Sequence, residues 1–294
     1  MPRPPFISAF TVIRNARILG YPIAESIRSI LPIVDEFVIG VGESEDDTLE
    51  LLASIDDPRI RIFESGWDMS RPKGGRLLAD KTNEALDRCS GKWCFYLQAD
   101  EVVHERDLPA IRAACEAHSD DERVEGLLFD YVHLYGSYSI VATMRAAYRR
   151  EVRIVRRSSG ARSVGDAQSF LIGGKRKPRV RLANATIYHY GWVHSPERLR
   201  RKRANRAVLY ERPELLDGIE QMPIRQVYGL RRFRGSHPAV MADIVAQQNW
   251  QFEPRLDLRQ WNRRDYKNLA SDMLELVIRR RLGERKFYTL LDGA

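Results

Sequence analysis

Apolar and polar positions follow two alternating periodicities along the first 135 residues, and the changes between them mark the predicted elements. Short apolar runs predict strands over residues 6–13, 36–41, 60–63 and 93–97. Apolar positions three and four residues apart predict helices over 22–33, 48–55, 75–89 and 107–117. This alternation of strand and helix is typical of a doubly wound, mostly parallel α/β sheet. In such sheets ligands bind at the carboxyl ends of the strands, so we expect the site there.

The pattern changes after about residue 125. Apolar runs predict further strands over 127–134, 152–155 and 185–190, in a more mixed region, and a basic helix over 196–211. From about residue 214 helical patterns dominate, ending with a helix over 265–281. The sequence therefore predicts an α/β domain over residues 1–213 and a helical C-terminal extension over residues 214–294.

Composition places the chain among ordinary globular proteins, with 44% hydrophobic and 30% charged residues. No apolar run approaches the roughly 18 to 20 residues of a membrane span. The N-terminus leads into a strand pattern rather than a signal-peptide pattern. The three cysteines (Cys89, Cys94 and Cys115) lack metal-ligand spacing and leave an odd thiol. We therefore expect a reduced, cytoplasmic protein.

Charge is distributed unevenly between the two halves of the chain. Residues 1–142 carry 15 Lys and Arg against 25 Asp and Glu, whereas residues 143–294 carry 33 against 15. The basic half could meet a nucleotide diphosphate, an anionic acceptor, an anionic membrane surface or nucleic acid. Charge alone does not choose among these partners.

The richest candidate chemistry follows the buried strand over 93–97. This strand ends in Gln98-Ala99-Asp100-Glu101, which places carboxylates at the edge where ligands bind. A carboxylate there suits a hard divalent cation that it shares with phosphate groups. The alternative is that Asp100 only caps the next helix.

A second polar stretch, residues 42–48, follows the strand over 36–41. A small, turn-forming loop that opens a helix could contact a nucleotide, or it could be an ordinary loop with Asp47 as the helix cap. Gly40 and Gly42 lack the third glycine of a dinucleotide-binding fingerprint.

Taken in order, these stretches resemble the family-2 type of glycosyltransferase with the GT-A fold. Arg14-Asn15 matches the polar exit from that family's first strand, and residues 42–48 resemble its Gly-Ser-Thr-Asp-x-Thr turn. Lys81-Thr82-Asn83 resembles the helix before the central strand, and residues 97–101 fall where the family has its Asp-x-Asp metal motif. The resemblance covers residues 6–105 well and 150–210 weakly.

The resemblance implies a GT-A, Rossmann-like α/β fold: an open mixed, mostly parallel sheet flanked by helices, with a C-terminal helical appendage. It also implies a Mg²⁺ or Mn²⁺ ion bound by Asp100. The residues that it assigns to the nucleotide-sugar donor are Arg14, Asn15, Glu43, Ser44, Asp46, Lys81, Asn83, Gln98 and Asp100.

Two departures from the family pattern concern the donor. Gln98 stands where the first aspartate of Asp-x-Asp is expected, so the contact with sugar or ribose loses a charge. Val41 aligns with the aspartate that reads the nucleobase, which leaves the donor nucleotide open.

Later residues extend the resemblance to the acceptor side. A carboxylate after a strand is the base in related inverting enzymes, which implies this role for Asp166; the alternative is a turn aspartate. His189 would complete the metal or diphosphate site, unless it is a hydrogen-bonded core histidine. We assign Glu101, Trp192 and His194 to the acceptor pocket.

The predicted function is therefore metal-assisted, inverting transfer of a sugar from a nucleoside-diphosphate sugar to a glycan or lipid-linked acceptor. The basic half suits cell-envelope polysaccharide acceptors and peripheral association with the anionic inner face of a membrane. One alternative is a catalytically degenerate nucleotide- or glycan-binding protein of the same fold. Another alternative is a nucleotidyltransferase. A last one is a nucleic-acid-binding protein that uses the Arg and Lys clusters at 149–157, 175–181 and 198–206, although the sequence contains no recognised nucleic-acid-binding module.

Overall fold

The computed structural model describes residues 5–68, 75–145, 147–219, 224–255, 258–279 and 286–291. Its first half contains β1 (Ile7–Ile13), α1 (Ala16–Leu19), α2 (Ile23–Ile30), β2 (Glu36–Val41), α3 (Thr48–Ala53), β3 (Ile60–Glu64), α4 (Arg76–Asp87), β4 (Trp93–Tyr96), β5 (Glu101–Val103) and α5 (Leu108–Ala117). Its second half contains β6 (Gly126–Tyr135), β7 (Ser137–Ala142), β8 (Arg150–Arg156), β9 (Ala161–Val164), β10 (Ser169–Ile172), β11 (Arg179–Trp192), α6 (Pro196–Leu209), β12 (Leu230–Arg232), α7 (Ala242–Ala246), α8 (Arg263–Ile278) and β13 (Thr289–Leu290).

Most strands join one open mixed sheet. Its first four strands run parallel in the order β3-β2-β1-β4. Beyond β4 the order continues with β8, β6, β7 and β12, each antiparallel to its neighbour. Strand β11 lies parallel to β6, whereas β9 and β10 form a separate hairpin. The prediction of an α/β fold with an open mixed sheet flanked by helices is confirmed.

Helices cover both faces of the parallel strands, which explains their continuous apolar sequences. Because successive side chains of a strand point to opposite faces, Ala9 of β1 belongs to one core cluster and Phe10 to another. The first cluster receives Ile27 of α2 and Ile111 of α5. The second receives Leu86 of α4. This double cover leaves the carboxyl ends of β1 and β4 as an open edge.

Several short strands are absent from the sequence prediction. Strand β5 has three residues and pairs, within the described ranges, with β11 alone, so its periodicity is too short to read. The turn between β6 and β7 is a single residue, Gly136, at φ +71°, packed against the ring of Phe252. A side chain at Gly136 would meet that ring, so the tight turn needs glycine.

The region after residue 213 contributes to the sheet as well as containing helices. Among the described residues, α7 and α8 lie there, but β12 also pairs with β7, and β13 pairs with β11. The division at 213/214 into a domain and a helical extension stays a prediction. No helix in the described ranges has the length and apolarity needed to cross a membrane.

Hydrogen bonds of Glu125 link the start of β6 to the start of β11. Its carboxylate accepts hydrogen bonds from Arg176 at 2.6 and 2.9 Å and from the backbone N–H of Arg179 at 2.8 Å. Burial alone would raise the pKa of Glu125, but the hydrogen bonds from Arg176 and Arg179 outweigh it and lower the pKa to about 2. The ionised carboxylate therefore stabilises the folded state.

We expect Glu125→Gln to reduce the free energy of unfolding at pH 7 by about 1 kcal/mol, because both arginines are half exposed and screened by water. The folded pKa lies below the unfolded value of about 4.3, so this stabilisation is complete above pH 5 and is lost as the pH falls toward 2. Urea unfolding of both proteins between pH 7 and pH 3 tests this. A difference that stays constant over that range would contradict it.

Candidate functional site

A cleft with a volume of about 960 Å³ opens at the carboxyl ends of the central strands. Its walls come from the end of β1, the turn after β4, the end of β11 and one face of α6. This is the place where ligands bind in open α/β sheets. Predicted site residues that line it are Arg14, Gln98, Asp100, Asp166, His189 and Trp192.

Asp100 lies on the cleft wall two residues after Gln98. Its Oδ2 is 3.3 Å from Nζ of Lys202, and its Oδ1 is 3.8 Å from Nε2 of His189. Burial would raise the pKa of Asp100, but the charge of Lys202 and the proximity of His189 outweigh it and lower the pKa. Asp100 is therefore an anion at neutral pH and faces the cleft.

Lys202 is held by three acceptors, as expected of a protonated amine. Its Nζ is 2.9 Å from the backbone O of Gly191 and 3.2 Å from Nε2 of His194, in addition to Asp100. It also lies 4.3 Å from the ring centroid of Tyr21. Burial lowers its pKa, and Asp100 opposes that change. The result is a fixed positive charge at the base of the cleft.

His189 is coupled to a second buried histidine behind it. Its Nδ1 is 3.2 Å from Nδ1 of His133, whose Nε2 is 2.8 Å from the backbone O of Tyr148. Burial lowers the pKa of both histidines, that of His133 to about 3. Both imidazoles are therefore neutral at pH 7.

Helix α6 presents a basic stripe to the cleft. Ser195 caps the helix, since its Oγ accepts from the backbone N–H of Arg198, and Pro196 occupies the first turn. Residues three and four apart share a helical face, so Lys202, Arg203 and Arg206 all line the cleft. Such a stripe suits a diphosphate.

Asp166 and Trp192 both line the cleft. Asp166 sits in the turn between β9 and β10, and its Oδ2 accepts a hydrogen bond from the Tyr210 hydroxyl at 3.3 Å. Trp192 ends β11 and is 42% exposed, with the guanidinium of Arg206 5.3 Å from its ring centroid. An aromatic face of this kind can stack on a sugar ring.

Residues 42–48, which the sequence predicts to contact the donor, are held against α1 and the residue before it by hydrogen bonds. Asn15 accepts from the backbone N–H of Glu45 at 2.8 Å, and Ser44 accepts from the N–H of Asn15 at 3.1 Å. Asp46 accepts from the backbone N–H groups of Ile18 and Thr48, whereas Asp47, at the N-cap position of α3, makes no side-chain cap hydrogen bond. Asn15, Glu43, Ser44 and Asp46 lie outside the residues that line the cleft.

Arg14 joins this loop to the cleft. It donates to the backbone O of Glu43 at 2.6 Å and to the carboxylate of Glu45 at 2.7 Å, and it also lines the cleft. These bonds hold the guanidinium at the end of β1. Of the two residues at the exit of the first strand, the structure thus brings Arg14 alone to the cleft wall.

Lys81 and Asn83 belong to the packing of α4. Lys81 pairs with Glu84 at 3.1 Å on the same helix. Asn83 exchanges two hydrogen bonds with the backbone of Ser163 on β9, at 2.8 and 3.0 Å. Neither lines the cleft. Their sequence pattern therefore reflects contacts of the helix with the rest of the fold.

Glu101 points away from the cleft into the core. Its two oxygens accept from Arg153 at 2.7 and 2.8 Å and from the Tyr131 hydroxyl at 2.8 Å. Glu101 and Arg153 are both 0% exposed. An acceptor in the cleft cannot reach this carboxylate, so the acceptor role predicted for it does not fit its position.

His194 lies beneath the cleft and does not line it. It is 3% exposed, and burial followed by the charge of Lys202 moves its pKa well below the usual range. Its Nε2 therefore accepts a hydrogen bond from Lys202. His194 therefore holds Lys202, which lines the cleft, in position.

Several residues that line the cleft have no role in the sequence prediction. The sequence predicts Lys202 or Arg203 near the diphosphate, and Arg206 lies one helical turn after Lys202, which was a usable signal; Trp67 had none. The Trp67 ring lies so close to Gly42 that a Cβ there would approach it to 2.8 Å. Gly42 thus makes room for an aromatic wall rather than for a phosphate. Other cleft residues found only in the structure are Tyr21, Tyr135, Tyr148, Gln168 and Asn205.

The donor set at Asp100 and His189 fits a divalent cation. Asp100 Oδ1 and His189 Nε2 face each other at 3.8 Å on the cleft wall, one an anionic oxygen and the other an imidazole nitrogen. Mg²⁺ and Mn²⁺ commonly take one or two protein ligands and complete their shell with phosphates and water. Within the described ranges no group of three or more His, Cys, Asp or Glu side chains could hold an ion alone.

The arginine clusters at 149–157 and 175–181 are largely occupied inside the protein. Arg153 is paired with Glu101, and Arg156 donates to four backbone carbonyls beneath β8 while lying 4.4 Å from the Trp93 ring centroid. Arg176 is bound to Glu125. Arg153 and Arg156 are therefore buried and not presented to a nucleic-acid backbone, whereas Arg176 is half exposed.

Neither family models nor curated proteins match this chain. Among solved structures it is similar to S. aureus TarS, at 15% identity and a TM-score of 0.37, covering 69% of this chain and 39% of that chain. It is also similar to TarS 1-349 in complex with UDP-GlcNAc, at 14% identity and a TM-score of 0.37, covering 73% and 71%. A third is glucosyl-3-phosphoglycerate synthase from Mycobacterium tuberculosis in complex with Mg²⁺ and UDP, at 21% identity and a TM-score of 0.30, covering 44% of each chain.

This chain thus spans 39% of the chain in the first TarS structure. With such low identities and TM-scores, it is the side chains of the cleft that have to carry a functional assignment.

Proposed function

We propose that this protein is a glycosyltransferase that uses a nucleoside-diphosphate sugar, with the diphosphate bound next to Asp100 and against the basic stripe of α6. The observation that carries the proposal is the convergence of three features in one cleft. Asp100 follows the central strand, His189 Nε2 lies 3.8 Å from its Oδ1, and Lys202, Arg203 and Arg206 of α6 line the same cleft. This combination suits an anionic ligand that shares a cation with the protein.

The positive charges of α6 would stabilise the leaving diphosphate. Charge develops on it as the bond from the anomeric carbon to the phosphate oxygen breaks, so fixed cations favour the transition state over the bound donor. Lys202 is held in place before the donor arrives, which lowers the cost of reorganisation. A bound Mg²⁺ or Mn²⁺ would add Lewis-acid stabilisation of the same oxygens.

Asp166 is the proposed base on the acceptor side. As the acceptor oxygen bonds to the anomeric carbon, its proton passes to the carboxylate of Asp166, and attack opposite to the leaving diphosphate inverts the configuration. The hydrogen bond from Tyr210 orients Oδ2 and leaves Oδ1 for the acceptor. Trp192, exposed at the cleft mouth, would stack against the acceptor sugar.

A thermal-shift screen tests the proposal. The purified protein is heated with UDP-, GDP-, ADP- or dTDP-linked sugars, and with a CMP-linked sugar that lacks the diphosphate as a comparison, with and without Mn²⁺. At a hundredfold excess over Kd, binding adds about 2.7 kcal/mol of stability, and each kcal/mol raises Tm by about 2 to 4 °C. We expect one nucleotide class to raise Tm, more strongly with Mn²⁺.

Two variants of α6 locate the binding. Arg206→Met, on the cleft wall, should weaken the shift, whereas Arg201→Met should preserve it because Arg201 pairs with Glu197 outside the cleft. No shift with any of these sugars in a folded sample would overturn the proposal. Binding without release of nucleoside diphosphate would favour the degenerate binding protein instead.

A further inference from the structure

His133 is a buried histidine behind the cleft wall that the proposed reaction does not use. It lies on β6, in register with His189 on the parallel neighbour β11, and is 6% exposed. Tyr148 packs edge-on against its ring at 4.5 Å, and Tyr131 stacks on it at 5.3 Å between centroids. The ring is thus fixed in orientation as well as in position.

The hydrogen bonds of His133 fix where its proton lies. The backbone O of Tyr148, 2.8 Å from Nε2, can only accept, so Nε2 carries the hydrogen. A second hydrogen on Nδ1 would make His133 a buried cation, and neither Tyr148 nor Tyr131 supplies an anion beside it. Nδ1 of His133 is therefore an acceptor with a free lone pair.

The same reasoning extends to His189. Its Nδ1 is 3.2 Å from Nδ1 of His133, and a hydrogen bond at that distance needs one proton between the two nitrogens. Because His133 Nδ1 accepts, His189 Nδ1 must donate. With its hydrogen on Nδ1, the imidazole of His189 has its lone pair on Nε2, on the side where Asp100 Oδ1 lies 3.8 Å away.

Two acceptors that face each other without a hydrogen bond form a site for a cation. If the hydrogen sat on His189 Nε2 instead, it would point toward Asp100, and two lone pairs would face each other at the His133–His189 contact. The arrangement around His133 excludes that alternative. The free lone pair is the form of imidazole that binds metal ions, and a partner on the other nitrogen commonly selects it.

We infer that His133 is a positioning residue that sets the tautomer of His189, so that His189 Nε2 and Asp100 Oδ1 form a preset two-point site for a divalent cation. The inference deepens the proposed function, since the ion would accompany the diphosphate of the donor. It makes a claim about the free protein, however, and can be tested without any nucleotide.

The first test uses the wild-type protein labelled with ¹⁵N-histidine. Long-range ¹H–¹⁵N correlation spectra distinguish a protonated from an unprotonated ring nitrogen. We expect His189 to show a protonated Nδ1 and an unprotonated Nε2, and His133 the opposite tautomer. A His189 signal with its proton on Nε2 would overturn the inference, without any variant that has to fold.

The second test follows Mn²⁺ binding by paramagnetic broadening of the His189 ring signals, without nucleotide. We expect His133→Phe to weaken Mn²⁺ binding by about 10- to 100-fold, the usual cost of losing such a partner. His133→Asn, whose Oδ1 can accept from His189 Nδ1, should restore affinity to within about threefold of wild type. Equal weakening by both variants would overturn the inference, because a purely structural role does not depend on the acceptor.

These results are separable from the fate of the proposed function. If the tautomers and the Mn²⁺ affinities are as expected but no sugar nucleotide binds, the inference stands and the proposed function fails. If a sugar nucleotide raises Tm but His189 carries its proton on Nε2, the proposed function stands and the inference fails.

Discussion

Replacing Asp100 with asparagine is expected to reduce the rate of sugar transfer by about 10²- to 10³-fold, the usual effect of removing one preorganised electrostatic contact from an active site. The substitution keeps the shape of the side chain but removes the anion that faces His189 and neutralises Lys202. It should also remove the Mn²⁺ dependence of donor binding, because a neutral amide is a poor ligand for a hard cation.

The measurement is transfer, or release of nucleoside diphosphate, with the donor identified by the thermal-shift screen. Asp80→Asn is the matched control, since Asp80 is an exposed residue of α4 that does not line the cleft. Asp80→Asn should retain the wild-type rate. A folded Asp100→Asn protein with undiminished transfer would show that the reaction does not depend on this carboxylate.

The second large effect concerns stability. Glu101→Gln is expected to lower the free energy of unfolding by about 3 to 5 kcal/mol, because it leaves the fully buried guanidinium of Arg153 without an anion. Glu101 also accepts from the Tyr131 hydroxyl and from the backbone N–H of Gln98, so four hydrogen bonds depend on its two oxygens. Urea unfolding at pH 7 measures the change.

Glu116→Gln provides the control for this prediction. Glu116 pairs with Arg112 at 2.7 Å, the same separation as in the buried pair, but on the exposed face of α5. Exposed pairs one helical turn apart contribute only about 0.3 to 0.5 kcal/mol, so this variant should change stability little. If Glu101→Gln is as stable as wild type but binds acceptor poorly, Glu101 would be an acceptor residue after all.

Asp100 and Glu101 show what the sequence could and could not predict about the site. The sequence placed both at the carboxyl end of the central strand, which is correct. Adjacent residues in extended chain point in opposite directions, however, so Asp100 faces the cleft while Glu101 enters the core as the first residue of β5. That short strand carries too little pattern to be recognised in advance.

The residues around loop 42–48 were harder to interpret for a different reason. Loops at the end of a sheet must satisfy their own backbone groups, and small polar side chains do this locally. Asn15, Ser44 and Asp46 all serve backbone N–H groups in this way. Polar residues at the carboxyl edge of the sheet therefore do not show by themselves whether they contact a ligand or hydrogen-bond to the backbone of their own loop.

The fold itself was largely predictable from local pattern. Strands β1, β2 and β4 are buried on both faces and read as continuous apolar runs, and α2 and α4 show helical periodicity between them. The pairing of His133 with His189 arises from neighbouring strands 56 residues apart in sequence. No local pattern encodes such a contact, so it appears only in the structure.

The most direct test of the central claim is a crystal structure grown with Mn²⁺ and the nucleoside diphosphate that the thermal-shift screen selects. We predict that the two phosphates lie next to Asp100 and against the basic stripe of α6, with Mn²⁺ bound to Asp100 Oδ1 and His189 Nε2. A nucleotide bound outside this cleft, or phosphates turned away from Asp100 and α6, would contradict the account.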